Sequence, residues 1–396
     1  MSDNLVRPAL VLGLLSCLGP FAIDMYLPAM PDIGRDLGAS VPQMQGTITA
    51  YFVAFGLAQL VYGPWADQAG RKLPLYAGIA VFVLGSVICT FAPTIGWLTL
   101  GRAVQGLGGA ALMVVPRAII RDLYTGAAAT RLMAAVMLVI SVSPMLAPLA
   151  GSGLMAVADW RWIFGALLAA SVGSFALLAL AQPETLPVAL RQRFDLRAAR
   201  DGTARLLGDR TFIALTFMGG FGMASFFVFI ASAAFVYTEA FGLSPTQFSL
   251  AFAVNALGFF AASQMAAGLG ARFGAARVMR LAAAGFAVCT VALFALGLAG
   301  VVTLAVCMAG LFAANACLGL IIPTAMVMAL DEHGDIAGLA SSLGGTLQML
   351  AGGLMVAAVG PFFDGTVVPM LGAIALCGVV AFGLSRLVGG GQAVAV

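Results

Sequence analysis

The stretch Phe21-Ala-Ile-Asp-Met-Tyr-Leu-Pro-Ala-Met-Pro31 places an acidic residue inside an apolar segment. Residues 8–23 contain no charge before Asp24, and residues 25–30 are again mostly apolar. A segment of about 20 apolar residues is long enough to cross the hydrocarbon core of a bilayer. Asp24 is therefore expected in the outer part of a membrane span, where an ionisable group costs about 2.5–3.5 kcal/mol and indicates a functional site. The alternative is an acid at the end of the span, solvated by headgroups.

The composition of the chain is that of an integral membrane protein. Of its 396 residues, 62% are hydrophobic and 9% are charged, whereas soluble domains have about 25% charged residues. Apolar runs with the length of a spanning helix lie at 8–30, 44–65, 74–93, 97–119, 132–156, 161–181, 211–236, 246–268, 277–299, 302–329, 336–360 and 367–388. The chain is therefore predicted to be an all-α membrane protein with twelve transmembrane helices.

A polar, arginine-rich stretch at 182–210 divides these runs into six and six. We predict three parts: an N-terminal six-helix bundle over 1–181, a cytoplasmic linker over 182–210 and a C-terminal six-helix bundle over 211–396. The arginines of the linker are compatible with an amphipathic helix that lies on anionic lipid. A solvated linker between the halves is the alternative, and the sequence does not separate the two.

The distribution of basic residues predicts the orientation of the spans. With the N-terminus in the cytoplasm, 16 of the 19 Lys and Arg residues fall on the inner side, Arg35 and Arg161 fall outside, and Arg102 lies within a span. An excess of Lys and Arg is typical of cytoplasmic loops. Both termini are therefore expected in the cytoplasm.

Several classes of site are excluded by the residue inventory. The six cysteines lie in apolar runs without a CxxC spacing and His333 is the only histidine, so neither a disulfide framework nor a metal site is expected. The glycines at 106–109 lie inside an apolar run and lack a following lysine, which excludes a nucleotide-binding loop. No hydrolase triad is available, and a net charge of +3 is too small to indicate nucleic-acid binding. The chain is thus not expected to be an enzyme.

A second motif connects the second and third predicted spans. It reads Gly63-Pro-Trp-Ala-Asp67-Gln-Ala-Gly70-Arg71-Lys72. Gly70 permits the backbone angles of a tight turn, and the acidic and basic residues beside it can bond to a helix end, to each other or to lipid. These features predict a latch on the cytoplasmic face.

This loop resembles the signature of the major facilitator superfamily, Gly-x-x-x-Asp-x-x-Gly-Arg-Lys/Arg, and a degraded copy follows at residues 268–277. The resemblance implies two pseudo-symmetric six-helix bundles around a midplane cavity. It also implies that the loop locks the cytoplasmic side, with Arg71 paired to Asp122. The implied gate residues are Gly63, Asp67, Gly70, Arg71 and Asp122.

Three further stretches resemble one particular family within this superfamily. Residues 24–31 are similar to the first span of the Bcr/CflA drug-resistance transporters, which include bicyclomycin-resistance proteins. Gly101-Arg102-Ala-Val-Gln105-Gly106 resembles the Arg-x-x-Gln-Gly motif of proton-coupled members. Residues 143–153 resemble the antiporter motif through Pro144, Pro148 and Gly151, although alanine stands at 147 where glycine is usual. The resemblance implies a monomer in a bacterial inner membrane, small-molecule drug substrates, and the proton as coupling ion with no other cofactor.

Asp24 and Arg102 are the predicted proton-coupling residues. Span one runs outward and span four begins on the outer side, so both charges are expected at similar depth. Arg102 keeps its proton and can serve as a fixed charge that tunes Asp24 when substrate or conformation separates them. The alternative is that Arg102 extends to the outer headgroups. No second acid lies within a span, which implies one proton per cycle and favours neutral or zwitterionic substrates over dications.

The substrate-binding candidates are polar and aromatic side chains within the spans. Amides in a membrane face protein rather than hydrocarbon, and a flexible aromatic lining suits varied apolar ligands. Packing or hydrogen bonding between helices is the alternative for each of them. The candidates are Tyr26, Gln105, Phe221, Phe226, Asn255, Asn315 and Gln348.

Two functions with the same architecture follow from these predictions. The first is a proton-coupled multidrug efflux transporter that exports small hydrophobic or neutral drugs by alternating access. The second is a transporter of one specific metabolite, such as a nucleoside or sugar derivative. A membrane sensor is disfavoured, because no loop is long enough to form an output domain.

Overall fold

A computed structural model of the chain describes residues 3–124, 126–191, 195–331 and 333–388. Within these ranges, 12 helices are long and apolar enough to cross a membrane, and no strand is formed. The prediction of an all-α membrane protein with twelve spans is therefore confirmed. Arg193, which belongs to the predicted linker, lies outside the described residues.

The first compact unit comprises Met1–Asp195 together with Ser244–Leu250. Its first span consists of α1 (Asp3–Asp24), a 3-10 turn (Leu27–Ala29) and α2 (Met30–Asp36). The remaining spans of the unit are α3 (Val41–Ala69), α4 (Lys72–Thr90), α5 (Ile95–Leu123), α6 (Gly126–Met155) and α7 (Arg161–Ala181). Helix α5 packs against α3 and α4, and α1 packs against α6.

The second compact unit comprises Leu196–Leu243 and Ala251–Val396. It begins with the short α8 (Leu196–Gly208), which lies within the predicted linker, and continues with α9 (Arg210–Phe235) and a π-helical turn (Val236–Ala240). The later helices are α10 (Pro245–Phe273), whose residues up to Leu250 belong to the first unit, and α11 (Ala275–Leu298), α12 (Leu304–Asp331), α13 (Ala337–Val359) and α14 (Val368–Leu387). Helix α9 packs against α12, α13 and α14.

Helices α3 and α9 begin at residues whose side chains cap the free amides. Ser40 and Gln43 form a reciprocal capping box at the start of α3. The Asp209 carboxylate accepts hydrogen bonds from the backbone amides of Thr211 and Phe212 at the start of α9. These caps satisfy donors that have no partner within their helices.

The first span is interrupted immediately after Asp24. Helix α1 ends there, and the chain resumes helical structure through the 3-10 turn into α2. Pro28 lacks the amide proton that a continuous helix would donate to the carbonyl of Asp24, which favours a break at this point. The break places Asp24 at a helix end within an apolar span.

Gly151 of α6 allows that helix to approach the break in span one. A β-carbon at this position would collide with the carbonyl of Met25 and would lie 3.1 Å from Cγ of Pro28. The contact is made by backbone, which cannot rotate away as a side chain can. Small residues of this kind permit close helix approach in a membrane protein.

We predict that Gly151→Ala destabilises the protein by about 1–3 kcal/mol, the usual cost of forcing an extra methyl group into a packed site. Gly153→Ala is the matched control, because a β-carbon at 153 would meet no atom within 4 Å. Thermal unfolding in detergent, followed with a thiol-reactive dye that reports the buried cysteines, measures both variants. Equal midpoints for the two would show that α6 does not constrain the break.

Candidate functional site

Asp24 is buried at the end of α1, with 4% of its surface exposed. Among the described residues, its carboxylate has neither a hydrogen-bond donor nor an ion-pair partner. A charge buried without a partner is costly, and such groups are usually paired or functional. Its position at a break in the span, rather than in a regular helix, allows its surroundings to change when the span moves.

Arg102 of α5 is fully buried at 0% exposure. Its Nη1 donates to the carbonyl of Ala22 at 2.8 Å and to Oε1 of Gln105 at 3.0 Å. Its Cζ lies 4.8 Å from the ring centre of Tyr26 and 4.6 Å from that of Tyr51. The two rings stabilise the cation through their π faces. Arg102 does not extend to the surface in this structure.

The residues around Arg102 are themselves fixed by hydrogen bonds. The Tyr26 hydroxyl is bonded to Oγ1 of Thr47 at 2.8 Å, and the Tyr51 hydroxyl donates to the carbonyl of Gly19 at 3.1 Å. Nε2 of Gln105 donates to Oγ of Ser86 at 2.9 Å. We call Tyr26, Tyr51, Gln105 and Ser86 the Arg102 cage: the first three contact the guanidinium, and Ser86 fixes Gln105. These residues come from α3, α4, α5 and the break of span one.

Two predicted substrate residues belong to the cage. Tyr26 and Gln105 contact Arg102, and their polar groups are bonded to other side chains. Their role in substrate binding stays a prediction. Sequence reasoning missed Tyr51 and Ser86. Neither belongs to a recognisable motif, and each reaches Arg102 or Gln105 from a different helix.

Arg102 contacts the backbone near Asp24 and does not form an ion pair with its carboxylate. The ion pairs within 4.0 Å in the described part of the chain do not include these two residues. The carbonyl that Arg102 binds belongs to Ala22, two residues before Asp24. The tuning of Asp24 by Arg102 stays a prediction.

The gate residues meet at the turn between α3 and α4. Gly70 has a φ of +90°, in the region that glycine adopts readily and other residues rarely do. Arg71 binds Asp122 in a bidentate manner, with 2.7 Å from Nε to Oδ2 and 3.0 Å from Nη2 to Oδ1. Its Nη1 donates to Oδ1 of Asp67 at 2.5 Å. Gly63 lies on α3, where a β-carbon would meet open space.

Arg71 stays charged in this cluster. Burial works to lower the pKa of the guanidinium, but hydrogen bonds and charge from Asp122 and Asp67 outweigh burial and raise that pKa above its usual value. Sequence reasoning missed two further members of the cluster. Glu184 accepts hydrogen bonds from the backbone amides of Arg71 and Lys72, and Thr185 donates to Asp122.

The other predicted substrate residues lie in the second unit. Asn255 is fully buried and its Nδ2 donates to the carbonyl of Ala251 at 3.1 Å and the hydroxyl of Tyr237 at 3.4 Å. Asn315 is buried on α12, and its amide nitrogen has no partner among the described residues. Gln348 lies beside Gly219 and lines a small cavity with Phe212 and Thr216.

Phe221 and Phe226 are half-buried aromatic residues of α9. Phe226 stacks on Phe259 of α10 with 5.9 Å between ring centres, and Phe221 packs on the core of the second unit. Of the antiporter-motif residues, Pro144 and Pro148 lie inside α6, and Gly151 contacts the break in span one.

Comparisons with known proteins agree on one family. Residues 12–356 match the profile described as Major Facilitator Superfamily. The uncharacterized MFS-type transporter YdgK of Bacillus subtilis is 33% identical over 96% of this chain and 95% of its own. The bicyclomycin resistance protein homolog of Haemophilus influenzae is 29% identical over 94% of this chain and 93% of its own.

A crystal structure of a D-xylose-proton symporter shares the fold, with a TM-score of 0.74, 15% identity and coverage of 96% of both chains. The named relatives confirm the resemblance to the Bcr/CflA transporters, and the family consists of transporters rather than enzymes. The chain is a multi-pass membrane protein that belongs to the Major Facilitator Superfamily.

Proposed function

We propose that the chain is a proton-coupled multidrug efflux transporter, which exports small hydrophobic or neutral drugs across a bacterial inner membrane by alternating access. The observation that carries this proposal is Asp24, a buried carboxylate without a partner at the break of an apolar span. The similarity to a bicyclomycin resistance protein homolog supports drugs as the substrate class.

Asp24 is the proton carrier in this proposal. A carboxylate in an apolar span is costly when charged and much less costly when neutral. Conformations that bury Asp24 therefore favour a bound proton, and conformations that open it to water permit release. A proton that binds on one side and leaves on the other supplies the driving force, and no other cofactor is needed.

Arg102 is the fixed positive charge that tunes the protonation of Asp24 in this proposal. The cage holds the guanidinium on α5, and its bond to the carbonyl of Ala22 attaches it to the end of α1. A shift of the α1 end relative to α5 would change the distance between the two charges. Protonation of Asp24 and movement of span one would then be coupled.

The Arg71 cluster is the cytoplasmic gate in this proposal. The bidentate pair with Asp122 joins the α3–α4 turn to the end of α5, so the turn cannot move freely while the pair holds. Asn255, Asn315, Gln348, Phe221 and Phe226 are the proposed substrate contacts of the second unit. Asn315 has an unused donor, which suits a ligand with a hydrogen-bond acceptor.

We further propose that the protein acts as a monomer, with both termini in the cytoplasm, the bilayer as its surroundings and no nucleic-acid partner. Helix α8 would then lie on the inner membrane surface. Leu196 and Leu207 are 72% and 50% exposed and flank the exposed Arg200 on one face, whereas Gly202 on another face packs against Leu339 of α13. Exposed leucines beside an arginine fit the interface of an anionic leaflet.

Replacement of Asp24 by asparagine tests the proton carrier, because the amide keeps the size of the side chain and cannot bind or release a proton. We expect Asp24→Asn to remove resistance to chloramphenicol-like or bicyclomycin-like compounds in a pump-deficient host. Proton-driven drug accumulation in everted vesicles is expected to fall to the level of empty vesicles.

Asp32→Asn is the matched control, because Asp32 lies at the outer end of the same span and pairs with Arg35. It is expected to keep wild-type transport. Proton-driven accumulation by Asp24→Asn would remove the proposed coupling. Uptake of a nucleoside or sugar derivative without any drug transport would instead support the metabolite transporter.

For helix α8, we expect phosphatidylglycerol to raise the unfolding temperature of the purified protein more than phosphatidylcholine does, and Arg200→Gln to reduce that difference. Each arginine near an anionic membrane surface contributes about 1 kcal/mol. Arg35→Gln, on the predicted outer side, is the control and should respond as the wild type does. An unchanged lipid response in Arg200→Gln would favour a solvated linker.

A further inference from the structure

Glu184, three residues after the end of α7, binds the gate loop through backbone amides. Its Oε1 accepts from the Arg71 amide at 2.9 Å, and its Oε2 accepts from the Lys72 amide at 3.1 Å. Lys72 is the first residue of α4. The carboxylate therefore caps the start of α4, where free amides and the helix dipole both favour a negative charge.

The same carboxylate also organises its own segment. Oε1 accepts from the backbone amides of Thr185 at 2.9 Å and Leu186 at 3.0 Å. The chain after α7 is thus wrapped around the Glu184 side chain while that side chain reaches the turn between α3 and α4. One carboxylate joins two segments separated by 113 residues.

Thr185 extends this connection to the other side of the gate pair. Its Oγ1 donates to Oδ2 of Asp122 at 3.0 Å. Oδ2 of Asp122 also accepts from Nε of Arg71 at 2.7 Å. Glu184 therefore holds the backbone of Arg71, and the next residue holds the carboxylate that Arg71 binds. Both partners of the gate pair are positioned from the segment after α7.

The geometry of the turn fits this arrangement. A β-carbon at Gly70 would lie 2.6 Å from Oε2 of Glu184 and 2.8 Å from Nη2 of Arg191. Since φ of Gly70 is +90°, glycine adopts this backbone conformation without steric strain. The absence of a β-carbon also leaves room for the Glu184 carboxylate. The glycine of the gate motif thus has a specific neighbour, which the motif itself does not reveal.

The charge of Glu184 persists at neutral pH. Burial acts to raise the pKa of the carboxyl, but the backbone donors outweigh burial and lower that pKa below its usual value. A carboxyl with a lowered pKa in the folded state contributes its stabilisation above its ordinary pKa of about 4.3 and loses it only in more acidic solution. This contact therefore differs from Asp24, whose proposed task is to exchange a proton.

We propose that Glu184 and Thr185 form a clamp that positions Arg71 and Asp122 and thereby sets how readily the gate loop opens. The part of this inference that concerns opening rests on the proposed function; the clamp itself rests on the contacts above. Without Glu184, four backbone donors lose a charged acceptor, two of them in the gate loop. The Arg71 backbone is then no longer fixed, and the bidentate geometry with Asp122 weakens. Glu184 and Thr185 are positioning residues, since they act through the gate pair.

Hydrogen–deuterium exchange of the detergent-solubilised full chain tests the clamp without any transport measurement. In Glu184→Ala, we expect the amides of Arg71 and Lys72 to exchange about tenfold faster or more, because hydrogen bonds to charged groups are among the stronger ones in proteins. Glu239→Ala, which removes an exposed acid from the second unit, is the control and should leave these amides unchanged. Unchanged exchange in Glu184→Ala would overturn the clamp.

Milder variants keep the test informative if Glu184→Ala does not fold. Glu184→Gln retains an acceptor without the charge and is expected to give intermediate exchange. Thr185→Val removes the bond to Asp122, and Thr185→Ser restores the hydroxyl. We expect Thr185→Val to increase exchange around the gate and Thr185→Ser to match the wild type; equal exchange for valine and serine would contradict the role of the hydroxyl.

A double-mutant cycle separates positioning of the gate from general stabilisation. In the drug-transport assay, Glu184→Ala is expected to change the maximal rate with little change in KM, and this effect should vanish in an Arg71→Gln background. An effect of equal size in both backgrounds would show that Glu184 acts independently of Arg71. Altered exchange in a protein that transports no drug would retain the clamp and reject the proposed function instead.

Discussion

The break in span one is the constraint on which the arrangement of the first unit depends. Inside a membrane, each backbone group that leaves a helical ladder needs another partner. The carbonyl of Ala22 lies in the last turn of α1, and Nη1 of Arg102 donates to it. The arginine therefore serves the backbone of span one as well as the electrostatics of the site. On another side of the break, Gly151 lets α6 contact the Met25 carbonyl.

Arg71 and Arg102 of the first unit have opposite kinds of partner. Arg71, at the turn between α3 and α4, is paired with two carboxylates, one of them bidentate. Arg102, inside the spans, has no carboxylate within ion-pair distance and is held by a carbonyl, an amide and two aromatic rings. A pair of opposite charges suits a contact that must hold a loop in place. A cation with neutral partners leaves its charge uncompensated, so a nearby acid can respond to it.

The fold of this protein does not by itself identify its substrate. The chain shares its fold with a D-xylose-proton symporter at 15% identity, a level that establishes architecture alone. The features on which the proposed proton coupling rests are local: the unpaired Asp24, the Arg102 cage and Gly151 at the break. These residues all belong to the first unit, so the proposed binding and release of the proton are assigned to that unit.

The sequence alone determined the twelve spans, the apolar setting of Asp24 and the gate motif, because hydropathy and turn chemistry are properties of short segments. The resemblance to a transporter family added the pairing of Arg71 with Asp122. The tertiary structure alone revealed Tyr51 and Ser86 as members of the Arg102 cage, and Glu184 and Thr185 beside Arg71 and Asp122. Those contacts join residues that are distant along the chain, and no local pattern encodes which side chains the packing of helices will bring together.

Tyr26 and Gln105 were identified from the sequence, but the sequence did not identify their partners. Their sequence context is that of polar groups in a span, which is equally compatible with ligand binding and with hydrogen bonds between helices. The break after Asp24 turns Tyr26 toward Arg102, and the approach of α4 to α5 places Ser86 against Gln105. The sequence therefore showed that Tyr26 and Gln105 carry polar groups within apolar spans. Their partners were decided only when the helices packed, because hydrogen bonds and ion pairs depend on distances of a few tenths of an ångström.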